Sequence, residues 1–187
     1  DSEISLASGS VILTGTLTDG DGDTDDATVD LSGAISFKDD GPVLTAVAAA
    51  ADSLQVDDTT LNVNDTTDFS GLFTADAGED GSAGITYGLS VPAVDPITGI
   101  VDSGIIDTAS GEKVVLTNNG GVIEGHTETG GDLVFTVSVN SDGEVTLDQV
   151  RAVDHGADGN DHDSEISLAS GSVILTGTLT DGDGDTD

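Results

Sequence analysis

The chain has 187 residues, 37 of them Asp or Glu against 3 Lys or Arg, for a formal net charge of −34. Three bases cannot neutralise a phosphate backbone or hold an anionic lipid surface, which excludes nucleic-acid binding and direct membrane insertion. With no Cys there is no disulfide, thiolate metal site or cysteine nucleophile, and no apolar run approaches the ~18 residues of a spanning helix.

Thirty of the acids are Asp and only 7 are Glu. Asp favours caps and turns over helix interiors, so the acids are expected in loops. Aromatics are limited to Phe37, Phe69, Phe73, Tyr87 and Phe135, which leaves Val, Leu, Ile and Ala to build the core. High charge with modest hydrophobicity is also a signature of disorder, but alternating patterns along the chain argue for strands.

In chain order, Val11, Leu13, Gly15 and Leu17 alternate with Ile12, Thr14, Thr16 and Thr18, the period of a half-buried strand. The acidic run Asp19-Gly20-Asp21-Gly22-Asp23-Thr24-Asp25-Asp26 follows as a loop. Ala27, Val29, Leu31, Gly33, Ile35 and Phe37 predict one long strand, stopped at Lys38-Asp39-Asp40-Gly41-Pro42. Ala46–Asp52 is the one helical-looking stretch, read as a linker or strand. Leu54–Val56 and Leu61–Val63 predict short strands, and Ile85, Tyr87, Leu89 and Val91 a clear one. Val114–Leu116 and Val122–Ile123 predict two more. Leu133, Phe135, Val137 and Val139 predict a strand that turns at Asn140-Ser141-Asp142-Gly143 into Val145 and Leu147. Many short strands separated by Gly, Asn and Asp indicate an all-β sandwich.

Residues 1–25 and 163–187 are identical. A repeat this long signals a tandem array of whole domains, and one period, residues 1–162, carries 31 acids and 3 bases. With no initiator Met and no leader pattern, the chain is expected to be a window cut from such an array. On this reading residues 1–41 are the closing strands of one repeat, with a calcium loop and linker. Residues 42–187 are the following β-sandwich repeat, incomplete at its last strand. Residues 1–41 are expected either to fill that slot, in their own chain or a neighbour, or to leave it to the continuing chain.

Alternation of Asp with Gly lets a loop curl until several carboxylates converge. Hard oxygen donors at this spacing suit Ca²⁺, which takes 6–8 oxygens, over Mg²⁺ or Zn²⁺. The candidate ligands are Asp19, Asp21, Asp23 and Asp25, with Asp181, Asp183 and Asp185 in the second copy. The loop is not an EF-hand: its sixth position is Thr24 and its twelfth Asp30. Asp39 and Asp40, at the expected module boundary, are candidates for an interdomain Ca²⁺. Weaker metal candidates are Asp76, Glu79 and Asp80, and the group Asp154, Asp158, Asp161 and Asp163. His155 and His162 in that group read as surface or hydrogen-bonded residues rather than ligands. Asn64-Asp65-Thr66 is a formal glycosylation sequon. No nucleophile elbow occurs, so neither an enzyme nor a small-molecule substrate is expected.

The order DGDGDTDDATVDLSGAISFKDDGP, followed by a module containing SDGEVTLDQVRAVDH, resembles the extender repeats of giant type I secreted repeats-in-toxin (RTX) adhesins. The resemblance covers essentially the whole chain. It implies an immunoglobulin-like β-sandwich with Ca²⁺ within domains and at linkers, in a protein of the Gram-negative cell surface. The implied metal role falls on Asp19, Asp21, Asp23, Asp39, Asp40, Asp181, Asp183 and Asp185. The partners it implies are neighbouring repeats of the same chain. The expected function is a calcium-stiffened extender that projects a distal ligand-binding domain for attachment and biofilm formation. The alternative is a repeat that itself binds a glycan, ice or a cell surface, with Thr14, Thr16 and Thr18 as a short threonine ladder.

Overall fold

Turn-forming residues every few positions, with β-branched residues between them, leave the chain little besides short strands. The computed structural model describes residues 3–51, 53–95, 100–156 and 164–187. The strands are β1 (Glu3–Ser5), β2 (Ile12–Thr18), β3 (Thr24–Asp30), β4 (Ser36–Lys38), β5 (Val43–Ala46), β6 (Asp65–Asp68) and β7 (Phe73–Asp76). They continue with β8 (Ser82–Ser90), β9 (Asp102–Ile106), β10 (Lys113–Asn119), β11 (Val122–Thr127), β12 (Leu133–Val139), β13 (Glu144–Gln149) and β14 (Ile174–Asp181). Among the described residues there are single 3₁₀ turns but no α-helix, and no helix long and apolar enough to cross a membrane.

One layer is a six-stranded antiparallel sheet in the order β6-β13-β12-β11-β10-β9. Most of it is a meander whose turns are locally encoded. At the β12–β13 turn, Asn140 Oδ1 accepts the N–H groups of Asp142 and Glu144, and Gly143 takes φ +85°. Alternate residues Val114, Leu116, Ile123, Phe135, Val137 and Val145 are buried against Phe69, Leu89, Val101 and Ile105. The second layer is the antiparallel pair β8–β14, which brings Leu89 and Leu175 onto this core. The pair β5–β7 closes against β14. Its Phe73 ring packs edge-on to Tyr87 with centroids 5.5 Å apart, and a Cβ at Gly177 would meet Phe73 at 2.9 Å and Leu44 at 3.2 Å. The result is an all-β sandwich.

Two expectations are corrected. The long strand over 27–37 is broken: Asp30 Oδ1 accepts the Ser32 N–H at 2.9 Å, and a 3₁₀ turn at Ser32–Ala34 separates β3 from β4. Leu54–Val56 and Leu61–Val63 are not strands. Asp57 caps the Asp58–Thr60 turn instead, and the sheet edge is taken by polar Asp65–Asp68. Ala46–Asp52, read as a linker or strand, is a strand end at Ala46 followed by residues 47–51 without regular structure.

Among the described residues, one ion pair has a fully buried member. Asp107, fully buried, accepts Arg151 Nε and Nη2 at 2.9 Å each, together with the Ser110 N–H and hydroxyl. The Arg151 guanidinium foremost, aided by Ser110, holds the Asp107 carboxyl well below the usual carboxylate range. Arg151→Met would leave this carboxylate buried and unpaired. We expect a loss of about 3 kcal/mol in urea unfolding at neutral pH. A depressed carboxylate contributes its stability above the unfolded-state value, about 3.9, and loses it as the pH falls through the folded value. The gap between parent and variant should therefore narrow as the pH is lowered through the carboxylate range.

Identical copies of one sequence meet different surroundings. The strands β1 to β4 pair only with one another among the described residues, as β1–β4 and β2–β3. On the β2–β3 hairpin Leu13, Leu17 and Val29 are exposed, whereas the identical residue to Leu17 in the second copy, Leu179, is 0% accessible against 73% for Leu17. A Cβ at Gly15 would meet only the Ala27 carbonyl oxygen, at 4.0 Å, where its counterpart Gly177 lies under Phe73. Gly177→Ala should lower the melting temperature through overpacking, about 1–3 kcal/mol. Gly15→Ala should leave it unchanged or raise it slightly. Equal effects from the two substitutions would contradict the assignment of the buried setting to the second copy alone.

Candidate metal centre

The loops after β2 and β14 share one local geometry. Asp19 Oδ1 accepts the N–H groups of Asp21, Gly22 and Asp23 at 3.2, 3.1 and 3.0 Å. Asp181 Oδ1 accepts those of Gly184 and Asp185 at 3.0 and 2.8 Å. Each first Asp also donates its own N–H to the carbonyl four residues on, at 3.0 Å in both loops. The turn needs a positive φ at the fourth residue, which glycine supplies at Gly22 (+103°) and Gly184 (+106°). In both copies three carboxylates converge: Asp19, Asp21 and Asp23 in one, Asp181, Asp183 and Asp185 in the other, with ligand oxygens within 4.8 Å of one another.

What differs is burial. The first loop is exposed, while Asp181 is 1% accessible and its Oδ2 is buried without a hydrogen-bond partner. Oδ1 closes the loop, so Oδ2 is the free donor, and a buried carboxylate oxygen left unpaired is costly. A Cβ at Gly182 would collide with the Asp80 carbonyl oxygen, so the second loop lies directly on the loop before β8. Gly20, its counterpart, touches nothing.

This packing assembles a third group from distant parts of the chain: Asp39 from the linker before β5, Asp80 from the loop after β7, and Asp183. Asp183 belongs to both the second and third groups. Asp40 lies beside this group, accepting the Glu79 N–H at 3.2 Å and packing on Gly78. Asp187 Oδ2 accepts the Leu44 N–H at 2.6 Å and ties the loop to β5. Asp25 sits in β3 opposite Leu17 and Asp40 holds a backbone amide, so neither falls in a convergent group. Asp76 caps Gly78 within its own loop.

The charges in the cluster oppose one another. Asp183 is held above the usual carboxylate range, chiefly by its hydrogen bond to Asp181, then by burial and by the Asp181 and Asp39 charges. Burial pushes Asp181 up, but the hydrogen bond with Asp183 and the N–H groups of Gly184, Asp185 and Asp183 bring it below the ordinary value. Asp80 is raised by burial and by the charges of Asp39, Asp181, Asp40 and Asp185. In the exposed copy, the Asp21 side chain and the loop N–H groups lower Asp19.

Of the Asp154 group, only Asp154 and His155 lie among the described residues. Asp154 caps Gly156, and His155 Nε2 lies 3.3 Å from Asp58 Oδ2. Asp158, Asp161, His162 and Asp163 lie outside the described residues. Asp80 is the member of the central cluster least apparent from sequence. Its signal is a Gly-rich acidic loop, without anything to say that this loop meets the linker.

A carboxylate raised above its unfolded-state value destabilises the fold when ionised, and the strain is relieved as the pH falls. In chelator Asp80→Asn should therefore raise the melting temperature, whereas in millimolar calcium it should lower it. A shift of the same sign in both conditions would exclude Asp80 from a cation site. Calcium affinity measured by calorimetry should fall as the pH is lowered towards the carboxylate range, because Asp80 and Asp183, raised above the ordinary value, take up protons ahead of unshifted carboxylates.

Neither a curated protein nor a solved structure matches the chain. A protein family, described as a domain of unknown function (DUF5801), matches residues 53–187, which hold both layers of the sandwich and the second acidic loop. Over that span, well beyond half of its length, the chain belongs to the DUF5801 family.

Proposed function

We propose that the protein is a calcium-stabilised extender repeat of a bacterial RTX-type surface adhesin, an immunoglobulin-like sandwich that projects a distal ligand-binding domain for attachment and biofilm formation. The observation that carries this reading is the buried, unpartnered Asp181 Oδ2, placed beside Asp183 and Asp185 with Asp39 and Asp80 next to them. All these donors are carboxylate oxygens, the chemistry that suits Ca²⁺. The group joins a linker residue, Asp39, to a module loop. A divalent ion there would cross-brace the joint as well as the loop.

The mechanism is electrostatic. Without a cation the chain's net −34 repels itself and the cluster resists closure. At the millimolar calcium outside cells, sites of ~10⁻⁴–10⁻³ M affinity fill. Each site at tenfold excess over its dissociation constant stabilises the fold by roughly 1.4 kcal/mol. On this reading the protein folds after export to the bacterial cell surface, anchored through regions outside this chain. It acts without catalysis, and its partners are neighbouring repeats.

Calorimetric melts in calcium and in EDTA test the proposal. Two filled sites should raise the melting temperature by roughly 5–10 °C. Asp181→Asn should remove most of that shift, and Asp19→Asn little of it. An equal melting temperature in calcium and EDTA would rule the reading out.

A further inference from the structure

The uncovered face of the N-terminal hairpin has a counterpart within the same molecule. Leu13, Gly15 and Leu17 are exposed along β2, and Ala27 and Val29 continue the same face on β3. In β14 the same sequence places Leu175 opposite Leu89, Gly177 opposite Tyr87 and Leu179 opposite Ile85 along β8, beneath Phe73 and Leu44. The structure therefore shows what covers this sequence when it is covered: the inner edge of β8 and the aromatic lid of β7.

We propose that the β2–β3 hairpin of one chain inserts beside β8 of a second copy in place of that copy's β14, joining chains head to tail. The recognition is the one already present at β14, residue for residue, because the 25 residues are identical. In the slot, the Asp19–Asp23 loop takes the position of Asp181–Asp185, beside Asp39 and Asp80. The slot is supplied by a second copy, and the joint is heterologous, so it repeats without closing. A hairpin that filled the slot of its own chain would give no disulfide between chains in the test below, which would overturn the proposal.

The resident β14 competes from within its own chain, at an effective concentration of order millimolar, so weakening β14 favours exchange. The absence of native Cys allows a direct test. Thr178 faces Thr86 in the β14–β8 register, and its counterpart is Thr16. Cross-strand partners lie about 4.5–5.5 Å apart at Cα, within disulfide range. A donor chain carrying Thr16→Cys is mixed under mild oxidation with an acceptor carrying Thr86→Cys. Acceptors are made with Leu179 intact, with Leu179→Ala and with Leu179→Asp. The peptide cross-linked by a disulfide between the two substituted positions is quantified by mass spectrometry.

The expected result is at least a tenfold rise in mixed dimer on either Leu179 variant, abolished when the donor also carries Leu17→Asp. If Leu179→Asp alone unfolds the acceptor, recovery of its native circular dichroism on adding donor supports exchange, and failure to recover counts against it. A yield indifferent to Leu179, or indifferent to Leu17 in the donor, overturns the proposal.

Discussion

Carboxylates held within hydrogen-bonding distance of one another raise the free energy of a fold unless something shares or cancels their charge. The architecture at the linker end of the sandwich is arranged around that constraint. Asp181 spends one oxygen on the amides of its own loop and buries the other. Asp183 is held above the ordinary carboxylate value chiefly by Asp181, and Asp80 is raised first by burial and then by its neighbours' charges. The core deals with the same problem differently. Asp107 is neutralised by Arg151, a fixed internal cation from a chain that has only three. One buried acid has a permanent partner in the sequence, and another faces oxygens alone.

Much of the sandwich was legible because its signals are local. The alternation over β8, β12 and β13, and the Asn-Ser-Asp-Gly turn, depend on residues near one another in sequence. So does the acidic loop, whose backbone is the same in both copies even though one is exposed and the other is not. The long strand over 27–37 failed because a side chain, Asp30, diverts the Ser32 amide away from a ladder, a competition that an apolar alternation does not register. Leu54–Val56 and Leu61–Val63 are apolar without being paired, while β6 is polar and paired. Its edge position asks little of its side chains.

The metal candidates divide along the same line. Asp19, Asp21 and Asp23, and Asp181, Asp183 and Asp185, form groups that spacing alone can suggest. The Asp39–Asp80–Asp183 group depends on packing between segments about 40 and 100 residues apart. It exists because Gly182 lets one backbone approach another. No pattern in a single sequence encodes that approach, and Asp25 and Asp40, equally acidic and close by, fall outside the groups for want of it.

The connectivity of the two layers also sets an order of events. The strands β9 to β13 are joined by short turns and can zip together as soon as they exist, whereas β8 must wait for a partner 84 to 99 residues further along. Contacts that close long loops form late and slow the whole process. A nascent sandwich therefore passes through a stage in which the sheet is formed and one flank is still open. The last strand to dock is also a natural first strand to fray, so hydrogen exchange should find the β8–β14 amides the least protected of the sandwich while the meander stays closed.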